Sequence, residues 1–121
     1  MTGLDTNVVL SLLFDEEERA LPAGPPYYLS LIVMAELAWV LRTTFRMNRE
    51  RCRETLSAVT ALQGFRIEQP ERVAEALEAY RDGRADFVDY LILLGNAAAG
   101  CSVTLTQDKK AAREPGFTLL Y

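Results

Sequence analysis

The sequence contains no histidine. That excludes the Ser-His-Asp triad, the Cys-His nucleophile pair and the usual His-containing zinc sites. Cysteine is scarce as well. Cys52 and Cys101 stand far apart without metal-type spacing, so both read as reduced thiols. Cys101 follows an Ala/Gly stretch and is expected to pack as a small apolar residue. Long apolar runs are missing too: the longest, Leu29 to Leu41, is interrupted by Glu36 and falls short of a membrane span. No basic segment precedes an apolar one at the N-terminus. No secretory signal is therefore expected, and the expected location is cytoplasmic. Positive charge is in deficit, with 13 Lys and Arg against 17 Asp and Glu and a net charge of −4. Such a balance argues against a nonspecific nucleic-acid binder, which usually carries a basic face. An acidic metal site offsets this only in part, because bound divalent cations reverse the local sign. Hydrolytic chemistry in this chain has to use carboxylates, hydroxyls or a hard metal ion held by oxygen.

What is present suits one domain spanning residues 1–121, with half of the residues hydrophobic and a quarter charged. There is no internal repeat and no obvious linker. The one composition shift is the loop Pro22-Ala23-Gly24-Pro25-Pro26. Strand-like and helix-like segments alternate. Strands are expected at Thr2 to Leu4, Tyr27 to Leu29, Phe65 to Ile67, Ser102 to Thr106 and Phe117 to Leu120. Ser30 can cap a long apolar helix reaching about Arg46, and Asn48 can cap another from Arg49 to Leu62. Pro70 suits the first position of a helix that runs to Asp82, where Gly83 stops it. A further helix starts near Asp86 and ends at Gly100, and a short one covers Lys109 to Arg113. The alternation predicts an α/β fold, a three-layer sandwich whose central parallel sheet of four to five strands carries helices on both faces.

Ligands of open α/β sheets gather outside the carboxyl ends of the strands. Asp5 ends the first strand and Asp108 follows a later one, so both suit such a crevice. Either could instead simply cap the helix that follows it. Glu36 is the only charge between Leu29 and Leu41. A helix so apolar around its girth is expected to be buried, where an unpaired carboxylate costs several kcal/mol. A metal would relieve that cost, and so would a salt bridge to Arg42 or Arg46. Asp89 is the only charged residue between Phe87 and Gln107, and Asp86 lies three positions earlier. The pair reads either as a capping box favoured by the helix dipole or as two repelling acids that a divalent cation would hold together. Four or five carboxylates in one cleft would bind Mg²⁺ or Mn²⁺.

Four segments in this order resemble the PIN-domain family, specifically the VapC-like toxins of bacterial toxin–antitoxin pairs. They are Gly3-Leu4-Asp5-Thr6-Asn7, Ser30-Leu31-Ile32-Val33-Met34-Ala35-Glu36-Leu37, Ala85-Asp86-Phe87-Val88-Asp89-Tyr90-Leu91-Ile92 and Thr104-Leu105-Thr106-Gln107-Asp108-Lys109-Lys110-Ala111-Ala112. The resemblance implies that Asp5, Glu36, Asp89 and Asp108 are the catalytic metal-site acids, with Asp86 an additional metal ligand. It makes Thr6, Asn7 and Thr106 polar supports. It further implies endonucleolytic RNA cleavage with Mg²⁺ or Mn²⁺, a homodimer, and a small antitoxin whose tail blocks the cleft. Two features depart from the family pattern. The segment between Asp5 and Ser30 is short, and Gln107 stands where phenylalanine is common. The first bears on antitoxin recognition.

Other features read more plainly. The arginines at 42, 46, 49, 51 and 53 could contact phosphate, or form a solvated face interleaved with Glu50 and Glu54. Lys109, Lys110 and Arg113 follow Asp108 directly and are better placed to hold phosphate than those arginines, although a plain surface role has the edge. Tyr27, Tyr28 and Trp39 read as core or interface aromatics, and the acidic run Asp15 to Glu18 as solvated surface. Two other functional readings remain: a catalytically weak PIN fold that binds antitoxin or RNA, and a phosphotransfer receiver or aspartyl phosphatase. The last needs a second acid two residues beyond Asp5, where Asn7 stands.

Overall fold

A computed structural model describes residues 1–17 and 20–121. The chain forms two compact units, Met1–Pro70 and Glu71–Tyr121.

The first unit holds β1 (Thr2–Gly3), α1 (Thr6–Phe14), β2 (Tyr27–Leu29), α2 (Leu31–Thr43), α3 (Arg49–Thr60) and β3 (Phe65–Ile67). Its strands pair in parallel in the order β1-β2-β3, with Thr2 opposite Tyr27 and Leu29 opposite Ile67. Helices α2 and α3 begin where their capping side chains predict. Ser30 Oγ accepts from the Val33 amide, and Asn48 Oδ1 accepts from the Arg51 amide. Glu68 adds a long-range cap, its Oε1 accepting from the Leu31 amide at 2.8 Å. Val33, Met34, Leu37, Ala38 and Leu41 bury one face of α2, and Cys52, Leu56 and Val59 bury one face of α3. Gly64 takes a φ of +85°, and a Cβ there would lie 2.8 Å from Pro25 Cβ. Glycine is thus required where the chain enters β3.

The second unit follows the start of α4 (Pro70–Asp82), whose first residue closes the first unit. It contains α5 (Phe87–Ala98), β4 (Thr104–Thr106), a 3₁₀ turn at Ala111–Arg113 and β5 (Phe117–Leu119). Helix α4 is amphipathic, burying Val73, Ala76, Leu77 and Tyr80 at helical spacing. Strands β4 and β5 pair in parallel, Thr104 opposite Phe117. The predicted α/β class with parallel strands is borne out. Among the described residues, β1, β2 and β3 form a ladder of three within the first unit, and β4 and β5 a ladder of two within the second. Helix ends fall short of expectation, since α2 stops at Thr43 and α3 at Thr60. Arg46 at φ 52° is incompatible with a continuing helix.

Gly83 lets Tyr90 pack against the segment that leads into α5. A Cβ at this position would collide with the Tyr90 hydroxyl and stand 2.9 Å from its Cζ. The same hydroxyl accepts from the Ala85 amide at 3.2 Å, so the close approach sets the start of α5. Gly83→Ala is expected to cost about 1–3 kcal/mol by overpacking. Thermal denaturation of parent and variant checks this.

One expectation about exposure is corrected: Cys101 is exposed instead of packed as a small apolar residue, whereas Cys52 is buried. Trp39 is 66% exposed, so of its two expected roles, core or interface, the core role falls. Of the acidic run, Asp15, Glu16 and Glu17 are exposed as expected, and Glu18 lies outside the described residues. Among the described residues no helix is long and apolar enough to cross a membrane.

Candidate metal centre

The first unit brings Asp5, Thr6 and Glu36 together. Asp5 occupies the N-cap of α1 in extended conformation, and its Oδ1 accepts from the Thr6 amide at 2.7 Å. Thr6 is buried, and its hydroxyl donates to Glu36 Oε2 at 2.8 Å. One threonine therefore orients two carboxylates that lie far apart in sequence. Asn7 is exposed one residue on.

Glu36 itself is exposed, contrary to the expectation of burial. The buried face of α2 lies elsewhere on the helix, and Ile32 and Trp39 share the exposed side with Glu36, at 70% and 66% exposure. An apolar composition around the helix does not determine which face is covered. Glu36 therefore carries no cost of burial, and among the described residues it forms no salt bridge to Arg42 or Arg46. Its partner is Thr6, while Arg42 Nη1 donates to the Met47 carbonyl.

In the second unit Asp86 is the N-cap of α5, and its amide donates to Asp89 Oδ2 at 2.9 Å. Asp89 is half-buried, and burial pushes its carboxyl above the usual 3.8. The hydrogen bond from the Asp86 amide opposes that shift, and the negative charges of Asp86 and Asp108 add to it. Asp108 follows β4. Its Oδ1 accepts from the amides of Lys110 (2.8 Å) and Ala111 (3.3 Å), and its own amide donates to Thr106 Oγ1 at 3.1 Å. Thr106 thus ties down the backbone of Asp108. Thr104, which the sequence did not single out, accepts from Asn96 Nδ2 at 3.0 Å and so ties β4 to α5.

A single pattern runs through Asp5, Glu36, Asp89 and Asp108. Each uses one carboxylate oxygen to anchor itself, and among the described residues the other oxygen accepts no hydrogen bond. Capping and ligand binding are therefore not exclusive here. The cap fixes the carboxylate and leaves one oxygen free for a ligand.

The donor chemistry suits a hard divalent cation, since every candidate ligand is a carboxylate. The raised Asp89, held near the charges of Asp86 and Asp108, is the arrangement a cation would relieve. Among the described residues, no group of three or more acids or cysteines is gathered closely enough to hold an ion.

The sequence pattern of the PIN domain matches residues 4–116, nearly the whole chain. No curated protein and no solved structure matches it.

Proposed function

This chain belongs to the PIN-domain family, and from that premise we propose that it is a metal-dependent endoribonuclease, the toxin of a VapC-like toxin–antitoxin pair. PIN domains are typically metal-dependent nucleases. The observation that carries the reading here is the set of four acids, each anchored through one oxygen and free at the other. In the proposal, Asp5, Glu36, Asp89 and Asp108 are the catalytic and metal-binding acids, and Asp86 is a further ligand. Thr6, Asn7 and Thr106 are supporting residues. Bound Mg²⁺ or Mn²⁺ would supply an activated water and stabilise the leaving oxygen of the phosphodiester. The chain's own part would be to orient Asp5 and Glu36 through Thr6 in the first unit, and Asp89 and Asp108 through the Asp86 amide and the 108–111 turn in the second. Residues 1–121 would act as one functional PIN-like domain in the cytoplasm.

The test is cleavage of a mixed small-RNA pool by purified, antitoxin-free protein in Mg²⁺, Mn²⁺ and EDTA. Discrete fragments in metal and none in EDTA are expected. No cleavage of any RNA by folded protein would favour a catalytically weak PIN fold that binds antitoxin or RNA. The short Asp5–Ser30 segment and the net charge of −4 would then be the features to examine first.

Two partners complete the proposal. A groove of about 830 Å³ runs along α1, lined by apolar Val8, Leu12 and Leu21 and acidic Asp15 and Glu17. Its chemistry suits an antitoxin segment carrying apolar and basic side chains. The exposed Ile32 and Trp39 on α2 suit a second copy of the chain. Trp39→Asp is expected to weaken self-association by at least about 2 kcal/mol, roughly thirtyfold, as loss of an aromatic anchor would. Sedimentation equilibrium of the variant checks this, and a dimer of parent strength would remove Trp39 from the interface.

A further inference from the structure

We propose that Lys109 and Lys110 form a phosphate-binding lip that holds the RNA backbone beside Asp108. The inference rests on the nuclease reading and names the part of the second unit that would meet substrate charge. A chain with net charge −4 cannot attract RNA through its overall field. Its affinity has to come from cations that are local and unneutralised. Several of its cations fail that requirement. Arg81 is held by Asp82 at 3.0 Å and approached by Glu78. Arg42 is engaged with the Met47 carbonyl, and along α3 Glu50 and Glu54 offset the charge of Arg51 and Arg53 by sequence proximity, without an ion-pair contact among the described residues.

The turn after β4 is different. Residues 108–113 contain one acid and three cations, Lys109, Lys110 and Arg113, all of them exposed. Among the described residues, neither lysine forms an ion pair, even with the adjacent Asp108. The backbone that carries them is fixed. Asp108 Oδ1 accepts from the Lys110 and Ala111 amides, and Thr106 accepts from the Asp108 amide. Two unpaired ammonium groups therefore sit on a rigid turn, one and two residues from a carboxylate with a free oxygen. Glu114, the nearest following acid, is occupied by the Arg84 amide at 2.7 Å. Phosphate contacts of this kind position a strand without reading its sequence.

The experiment is fluorescence anisotropy of a labelled single-stranded RNA oligonucleotide, titrated across a KCl series in Ca²⁺ buffer. The parent, Lys109→Gln/Lys110→Gln and Arg51→Gln/Arg53→Gln are compared. The lysine variant is expected to bind on the order of tenfold more weakly at low salt. Its log Kd against log salt should be shallower by about 1.4, at roughly 0.7 per phosphate contact on a single strand. The arginine variant should keep the parent slope. A parent slope retained by the lysine variant would overturn the lip and leave the nuclease reading standing. A parent without salt-dependent RNA binding would overturn both.

Discussion

Asp89→Asn is expected to lower metal-dependent RNA cleavage by about 100-fold or more, while leaving the metal-free protein at least as stable as the parent. The loss follows from removing a negative oxygen donor from the set that would hold the ion. The stability effect follows from the direction in which Asp89 is shifted. Its carboxyl titrates above 3.8 because burial and the charges of Asp86 and Asp108 disfavour the ionised form. The folded state therefore holds that proton more tightly than the unfolded chain does. Below the unfolded value both states are protonated and no penalty exists. As pH rises through the raised value, the folded state must accept a disfavoured charge, and stability is lost. Asparagine carries no such charge, and its amide oxygen can still accept from the Asp86 amide. Melting in EDTA at neutral pH should place the variant at or above the parent, with the difference shrinking towards pH 3.8. A variant less stable than the parent at neutral pH would show that Asp89 is held mainly for the fold. Full cleavage activity would remove it from the mechanism.

Glu36→Gln is the second large effect. A glutamine in its place can still accept from the Thr6 hydroxyl, so the link between α1 and α2 survives and stability should change by less than about 0.5 kcal/mol. Cleavage should nevertheless fall by about 100-fold or more, since the ionised oxygen is gone. Thr6→Val separates the two roles. It keeps the carboxylate and removes the hydroxyl that orients it, which should cost about 10–100-fold in activity, as loss of a supporting hydrogen bond to a metal ligand does. Raised metal concentration should recover part of the Thr6→Val loss and none of the Glu36→Gln loss. Metal titrations of kcat against Mn²⁺ distinguish the two.

Much of the local structure was legible because it is determined by near neighbours. Pro70 at the first turn of α4, Gly83 immediately past its end, Ser30 and Asn48 as caps, and the spacing of Val73, Ala76, Leu77 and Tyr80 all act within a few residues. The capping pair Asp86–Asp89 was legible for the same reason. Glu36 stood out in the sequence for a reason that does not hold. Its apolar neighbours suggested burial, yet only one face of α2 is covered, and Glu36, Ile32 and Trp39 remain on the open side.

By itself the sequence determined the α/β alternation, the caps, the candidate acids and the exclusion of histidine chemistry, because each depends on residue type and short spacing. Only the tertiary structure decided which faces are covered and how the strands pair. It also placed the Thr6 hydroxyl on Glu36 Oε2, the Glu68 carboxylate on the Leu31 amide and the Asn96 amide on Thr104. Those contacts join residues from different elements, and they form only when the packing of helices and strands brings distant backbones to hydrogen-bonding range.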